Sequence, residues 1–278
     1  MKRTITISKM QAAGNDFVVI NDMRRRISSP ARLAVKLCHR QFGVGADGLI
    51  LLQPALTRSA GRYRMRIINS DGSEAEMCGN GSRCAVKMAV EDRIAPPRHD
   101  LQTLAGRIHG AYLSKSRVRV GLTPPADFRS TVKIPLANRT LIASFIDTGV
   151  PHAVVFVPRI GSVDVNALGR EIRTHRVFAP RGANVNFVEI ARSGRHAHLR
   201  VRTYERGVES ETLACGTGAT AAAIVAALTR NLRPPIAVRT GGGAVLVIDF
   251  RLGSLPDVVT DVTMVGPVER VFEAKVRI

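Results

Sequence analysis

Two cysteines open the same short motif, C-G-x-G, at two places in the chain. Cys78-Gly79-Asn80-Gly81 and Cys215-Gly216-Thr217-Gly218 are each followed by an apolar, alanine-rich stretch that predicts a helix. A cysteine at a helix N-terminus lies in the positive field of the helix dipole, which favours the thiolate. The first backbone N–H groups of a helix have no partner within it and bind anions well. Each motif therefore predicts a reactive sulfur beside a carboxylate-binding backbone.

Two such motifs suit the inversion of an amino-acid α-carbon. One base removes the α-proton from one face, and a conjugate acid returns a proton to the other face. Catalysis of this kind depends on positioning, exclusion of water and hydrogen bonds to the carboxylate as it becomes enolate-like. We expect no cofactor, because no lysine stands in a context that indicates a pyridoxal Schiff base. We also expect no metal: His196 and His198 share a strand face, but a third ligand is lacking.

The repeated motif predicts a duplicated fold. The two cysteines are 137 positions apart (215 − 78), about half of the 278 residues. A second pair of similar segments, 14–19 and 149–155, keeps nearly the same offset, 135 (149 − 14). We predict an α+β fold of two pseudo-symmetric halves, each a mostly antiparallel sheet wrapped around a central helix. The predicted domains are residues 1–126, which the C-terminal segment 268–278 can join, and residues 127–267.

The expected secondary structure is mostly short strands. Seven segments have β-branched or alternating patterns, namely 4–8, 17–20, 64–68, 117–121, 153–157, 199–204 and 244–250. Ser29-Pro30 predicts a helix start, with serine as N-cap and proline in the first turn. That helix places Leu33, Ala34, Leu37 and Cys38 on one face. A second surface helix is predicted at about 163–174, and Gly241–Gly243 predicts a tight turn.

The composition narrows the class of protein. Lysine and arginine number 41 against 22 acidic residues, so the net charge is +19, which raises nucleic-acid binding as a hypothesis. The basic residues are scattered, and aromatic residues make up only 4%, which argues against base stacking. No apolar run approaches the ~20 residues of a membrane helix. Four cysteines without a C-x-x-C pair fit a reduced compartment. We expect a cytoplasmic protein with a small-molecule substrate and with no specific nucleic-acid partner and no membrane partner, and a homodimer is compatible with the sequence.

The blocks around both cysteines resemble a known family. Residues 69–81, N-S-D-G-S-E-A-E-M-C-G-N-G, resemble the signature of the first catalytic cysteine of diaminopimelate epimerases. Residues 204–208 and 211–218 resemble the second signature. Similar blocks at 14–17, 43–48, 148–152 and 184–187 extend the resemblance over nearly the whole chain. It implies two similar halves with the active site in the cleft between them. It also implies conversion of LL-diaminopimelate to meso-diaminopimelate without metal or cofactor, towards lysine and peptidoglycan.

The resemblance also implies a role for particular residues. Cys78 and Cys215 would be the acid–base pair, with His152 assisting Cys78 and Glu205 assisting Cys215. The substrate-binding set would hold the α-carboxylate on the backbone after each cysteine and the distal amino-acid end on amide, carboxylate and guanidinium groups. This set comprises Gly79, Asn80, Gly216 and Thr217 for the carboxylate, and Asn15, Asn69, Asn184, Glu205 and Arg206 for the remainder.

Three departures from one common family pattern bear on the substrate. Val150 replaces an asparagine before Pro151-His152, Gly48 stands where some members carry glutamine, and the segment 208–211 is one residue longer than the shortest form. One alternative is a two-cysteine racemase of the proline or hydroxyproline type, in which histidine would be expected at the position of Asn80. The other is a binding protein whose basic surface is its function.

Overall fold

The computed structural model describes residues 4–137, 139–193, 196–253 and 258–277. These residues form four α-helices: α1 (Pro30–Cys38), α2 (Gly79–Glu91), α3 (Val165–Arg173) and α4 (Gly216–Arg230). They also form eighteen strands: β1 (Thr4–Ala12), β2 (Asn15–Asn21), β3 (Gly48–Gln53), β4 (Tyr63–Asn69), β5 (Glu74–Ala75), β6 (Arg98–Thr103), β7 (Gly106–Ser114), β8 (Arg117–Gly121), β9 (Ala126–Leu136), β10 (Arg139–Asp147), β11 (Pro151–Phe156), β12 (Asn184–Ser193), β13 (His196–Glu205), β14 (Ser210–Thr212), β15 (Ile236–Thr240), β16 (Val245–Leu252), β17 (Val259–Pro267) and β18 (Glu269–Arg277).

The chain divides into two compact units. Unit 1 comprises Met1–Gly121 and Val265–Ile278, and unit 2 comprises Leu122–Met264. The C-terminal strand belongs to unit 1 because β18 pairs antiparallel with β1, with Thr4 opposite Arg277. The sequence-based division placed the two boundaries after residues 126 and 267.

Each unit contains a buried helix that begins at a C-G-x-G motif. In unit 1, α2 is buried from Gly79 to Ala89 and packs against strands β1–β4, β7 and β8. In unit 2, α4 is buried from Gly218 to Ala227 and packs against β10–β13, β15 and β16. A helix that is apolar on all sides belongs in a core, and the small alanine side chains of α4 let strands approach closely. The predicted α+β class, with a mostly antiparallel sheet around a central helix, is confirmed.

The internal repeat extends to the strand register. In unit 1, β2 runs parallel to β3, and β3 runs antiparallel to β4. In unit 2, β11, β12 and β13 have the same arrangement. Phe17 lies opposite Gly48 as His152 lies opposite Asn184, and Ile50 lies opposite Ile67 as Asn186 lies opposite Thr203. These registers relate three positions of unit 1 to three of unit 2: Phe17 to His152, Ile50 to Asn186, and Ile67 to Thr203.

The predicted local elements are present. Helix α1 begins at Pro30 and buries the four expected residues, Cys38 among them. Ser29 occupies the N-cap position, but its side chain makes no capping hydrogen bond, so only the backbone part of that prediction is confirmed. Helix α3 is capped instead by Asp164, whose carboxylate accepts the Ala167 N–H at 3.0 Å. Each of the seven predicted strands overlaps a strand of the structure, and the glycine turn joins β15 to β16.

Candidate active site

Cys78 is the N-cap residue of α2. Its backbone is extended (φ −145°, ψ 119°), and its Sγ accepts a hydrogen bond from the Gly81 N–H at 3.4 Å. This is the position that serine, threonine and aspartate usually occupy, where a side-chain acceptor satisfies an N–H of the first turn. The contact and the helix dipole both favour a negative sulfur.

Two asparagines lie beside this sulfur. The Asn15 Oδ1 is 3.7 Å from the Cys78 Sγ, so the thiol form can donate to it. The same oxygen accepts from the Asn80 Nδ2 at 3.3 Å, while the Asn15 Nδ2 donates to Asp47 at 2.7 Å. The structure therefore brings together Cys78, Asn80 and Asn15, three of the predicted residues, with an acceptor for the thiol and an N–H for the thiolate.

The buried side chain of Arg83 forms hydrogen bonds with the first turn of α2. Its side chain is fully buried and donates to the Asn80 Oδ1 at 2.8 Å, to the Gly79 carbonyl at 3.4 Å and to the Pro267 carbonyl at 3.3 Å. Burial lowers the pKa of Arg83 to about 10, and electrostatic interactions with Cys84 and then Cys78 oppose this shift. The guanidinium remains charged at neutral pH and supports a thiolate at Cys78. The sequence reading did not single out Arg83.

Asn69 lies at the end of β4 and forms hydrogen bonds within the turn that follows this strand. Its side chain donates to the Ser73 hydroxyl at 2.9 Å, and its backbone N–H donates to the Ser73 carbonyl at 2.8 Å. The side chain is exposed. Its role in binding the distal end of a substrate stays a prediction.

Cys215 repeats the geometry of Cys78 in unit 2. It is the N-cap residue of α4, and its Sγ accepts the Gly218 N–H at 3.4 Å. The Thr217 hydroxyl lies 3.3 Å from the sulfur, and the Thr217 carbonyl accepts from the Thr148 hydroxyl at 3.2 Å. The loop that carries the sulfur is thereby fastened to the segment that precedes His152.

His152 is fully buried on β11. Its Nδ1 is 3.0 Å from the Asn186 Nδ2, and its Nε2 has no hydrogen-bond partner within the ranges that the structure describes. Burial lowers the pKa of His152 to about 3, and the positive charge of Arg206 acts in the same direction. The imidazole is therefore neutral at physiological pH.

The remaining predicted residues of unit 2 lie where β12 begins and β13 ends. The Asn184 Oδ1 accepts the Arg206 N–H at 2.7 Å, and the Arg206 guanidinium donates to the Arg181 carbonyl at 3.1 Å. The Glu205 carboxylate accepts from the Thr212 hydroxyl at 3.0 Å, and Thr212 lies three residues before Cys215 in the sequence. The strand register thus groups a carboxylate, a guanidinium and an amide with His152, which lies opposite Asn184.

The other two cysteines belong to the core. Cys38 and Cys84 are buried, and burial raises the pKa of Cys38 to about 11 and that of Cys84 to about 12. Both thiols are protonated at neutral pH, in contrast to the environment built around Cys78 and Cys215.

Within the described ranges, no three histidine, cysteine or acidic side chains are grouped to hold a metal ion. Of the histidine pair His196 and His198, the side chain of His196 lies outside the described part. No helix in the described ranges is long and apolar enough to cross a membrane.

Known proteins resemble the chain in sequence over almost its full length. A family model described as diaminopimelate epimerase matches residues 7–125 and 144–271. A protein named diaminopimelate epimerase from Aquifex aeolicus is 44% identical over 277 residues, 96% of each chain. One of the same name from Methanocella arvoryzae is 41% identical over 291 residues, 98% of this chain and 96% of the relative.

Solved structures share the fold at low identity. A hydroxyproline epimerase from Agrobacterium vitis has a TM-score of 0.72 at 17% identity and covers 100% of this chain and 94% of its own. A PhzF-family phenazine biosynthesis protein from Bacillus anthracis has a TM-score of 0.77 at 14% identity, covering 99% and 100%. Fold and sequence together define an isomerase of the epimerase and racemase class. Within that class, the chain belongs to the diaminopimelate epimerase family.

Proposed function

We propose that the protein converts LL-2,6-diaminopimelate to meso-diaminopimelate by a two-base mechanism that uses no cofactor. The observation that carries this proposal is the repeated cysteine N-cap: Cys78 and Cys215 each accept a first-turn N–H at 3.4 Å. The family relationship supports the substrate. The product serves lysine and peptidoglycan precursor synthesis.

In this mechanism one cysteine acts as thiolate and the other as thiol. The thiolate takes the α-proton, and the electron pair left on the α-carbon spreads into the carboxylate. The thiol then donates its proton to the opposite face, and the two sulfurs have exchanged states. Backbone N–H groups at Gly79-Asn80 and Gly216-Thr217 stabilise the enolate-like carboxylate, since anions bind at helix N-termini.

Side chains near the cysteines assist these steps. We assign His152 to Cys78 and Glu205 to Cys215 as partners. The distal ammonium and carboxylate groups of the substrate bind Asn69, Asn184 and Arg206, with Asn15 assisting at Cys78. A guanidinium suits the distal carboxylate because it donates two parallel hydrogen bonds.

A conversion assay with matched cysteine variants tests the proposal. LL-diaminopimelate, proline and a panel of other amino acids are incubated with the protein, and stereoisomers are separated by chiral chromatography. Cys78→Ser and Cys215→Ser keep a good N-cap residue but replace the thiol with a hydroxyl of far higher pKa. We expect loss of conversion in both and retention in the core control Cys38→Ala. Conversion of proline but not of diaminopimelate would refute the substrate.

The proposal also includes a cytoplasmic location and a homodimer. Light scattering distinguishes the assemblies directly, because one chain has a mass of 30.1 kDa.

A further inference from the structure

A buried polar cluster in unit 2 replaces an apolar cluster in unit 1. By strand register, His152 occupies the position in unit 2 that Phe17 occupies in unit 1. Asn186 is equivalent to Ile50 in the same way, and Thr203 to Ile67. All six residues are buried. Unit 1 shows that apolar side chains can fill these positions in this fold. A buried polar group at the same position costs free energy of folding unless it is hydrogen-bonded. The polar cluster of unit 2 therefore requires an explanation other than packing.

The hydrogen bonds of Asn186 fix the orientation of its amide. Nδ2 is 3.1 Å from the Ala153 carbonyl, and Oδ1 accepts from the Thr203 hydroxyl at 2.9 Å. A backbone carbonyl only accepts, so the amide atom facing Ala153 must be the nitrogen. The amide cannot be reversed without opposing two oxygens.

This orientation determines which nitrogen of His152 carries the proton. One Nδ2 hydrogen of Asn186 serves Ala153, and the other points to the His152 Nδ1 at 3.0 Å. Nδ1 must then be the acceptor, and the proton of the neutral ring resides on Nε2. Nε2 is buried and has no hydrogen-bond partner among the described residues, so no protein acceptor described by the structure competes for its N–H.

Asn186 also fits against the loop of the second cysteine. A methyl group on Gly218 would overlap the Asn186 Oδ1, whereas one on Gly81 would meet Cδ1 of Ile50 at 3.2 Å and Cδ1 of Ile67 at 3.3 Å. The Gly218 N–H donates to the Cys215 Sγ. One amide therefore contacts both His152 and the glycine that hydrogen-bonds to the catalytic sulfur.

We propose that Asn186 is a positioning residue that holds His152 as the Nε2–H tautomer, so that His152 acts as a hydrogen-bond donor and not as a base. This inference rests on the proposed function for the assignment of His152 to the reaction. A donor of this kind stabilises an anion that forms during proton transfer, and removing one such donor typically lowers turnover 10²–10³-fold.

The tautomer is measured directly by nitrogen NMR of the wild-type protein labelled with ¹⁵N-histidine. His152→Gln assigns the signal among the seven histidines. We expect Nδ1 to have the shift of an unprotonated nitrogen and Nε2 that of a protonated one. A protonated Nδ1 in an active wild-type enzyme would overturn the inference and leave the proposed function intact. This measurement requires no variant of Asn186 to fold.

Asn186→Asp tests the consequence, because it preserves shape but replaces the donor to Nδ1 with an acceptor. We expect the proton to move to Nδ1 and kcat to fall about 100-fold, with little change in KM. The control Asn21→Asp makes the same change at an exposed site in unit 1, where the side-chain oxygen accepts the Met23 N–H, and should leave both readouts unchanged.

The Asn186→Asp variant distinguishes a role of Asn186 in positioning the His152 proton from a role in stability alone. If Asn186→Asp loses stability but keeps the Nε2–H tautomer, the amide does not set the proton. If the proton moves and kcat stays, the donor role of His152 is wrong. If the tautomer behaves as expected but no diaminopimelate is converted by the wild type, the proposed function fails.

Discussion

The two units use the same helix start but surround it differently. Each cysteine accepts a first-turn N–H at 3.4 Å, and in each helix the residue five positions later donates to the carbonyl that follows the cysteine. In unit 1 that residue is the buried Arg83, a charged group. In unit 2 it is Thr220, a neutral hydroxyl 2.9 Å from the Gly216 carbonyl. The shared geometry provides a sulfur acceptor in each unit, and the surroundings place a charged donor near one sulfur and a neutral donor near the other.

In a second difference between the units, unit 2 has the more polar side chains. Unit 1 surrounds its helix with the apolar Phe17, Ile50 and Ile67, whereas unit 2 has the polar cluster of His152, Asn186 and Thr203. Unit 1 thus contains a buried positive charge, that of Arg83, whereas the polar cluster of unit 2 is a neutral hydrogen-bonded network. The comparison teaches that a duplicated scaffold need not carry duplicated chemistry.

The largest effect expected from this difference is on stability in acid. The pKa of His152 is lowered from 6.5 to about 3 in the folded state, so protons bind the unfolded chain first. Its contribution to stability is full above about pH 6.5, decreases as pH falls towards 3, and is lost below that; the total is roughly 5 kcal/mol at about 1.4 kcal/mol per pH unit. Denaturant unfolding at several pH values measures the slope.

Grafting the unit 1 cluster into unit 2 tests the same network. The triple variant His152→Phe, Asn186→Ile, Thr203→Ile replaces all three polar side chains at once, and removing hydrogen-bond partners together can be neutral or stabilising. We expect a folded protein that lacks the part of the acid slope due to His152, which dominates between about pH 4.5 and 6.5, and that has kcat reduced about 1,000-fold. Wild-type turnover in this variant would show that the polar cluster has no part in catalysis.

The smallest effects concern the residue five positions after each cysteine. Arg83→Met removes the guanidinium that donates to the oxygens of Asn80, Gly79 and Pro267, and we expect a loss of about 2–4 kcal/mol in unfolding free energy together with lower kcat. Thr220→Val removes one local hydrogen bond and should cost about 1 kcal/mol or less. Equal costs in chemical denaturation would remove the distinction between the units.

Much of the site could be predicted because its signals are local. The C-G-x-G motifs predict both N-caps, and the apolar run after Gly218 predicts a buried helix. The pattern around Pro30 likewise predicts α1, since an amphipathic face is visible in the spacing of Leu33 and Leu37.

The rest depends on pairing across distant strands. Asn186 lies in the middle of a strand, and only its register opposite Thr203 and beside β11 makes it a partner of His152. Arg83 is one of many arginines, and burial alone distinguishes it. Strand β9 was not predicted because it is mostly exposed and lacks an alternating apolar pattern.

The central claim is that one cysteine from each unit acts on the same carbon. Its most direct test follows deuterium incorporation in heavy water at early times with LL-diaminopimelate and the wild type, Cys78→Ser and Cys215→Ser. We predict that the meso product of the wild type carries solvent deuterium at the inverted carbon while the recovered substrate does not, because different sulfurs remove and return the proton. Neither variant should form product. Equal deuterium in recovered substrate and product, or conversion by either variant, would contradict the two-cysteine account.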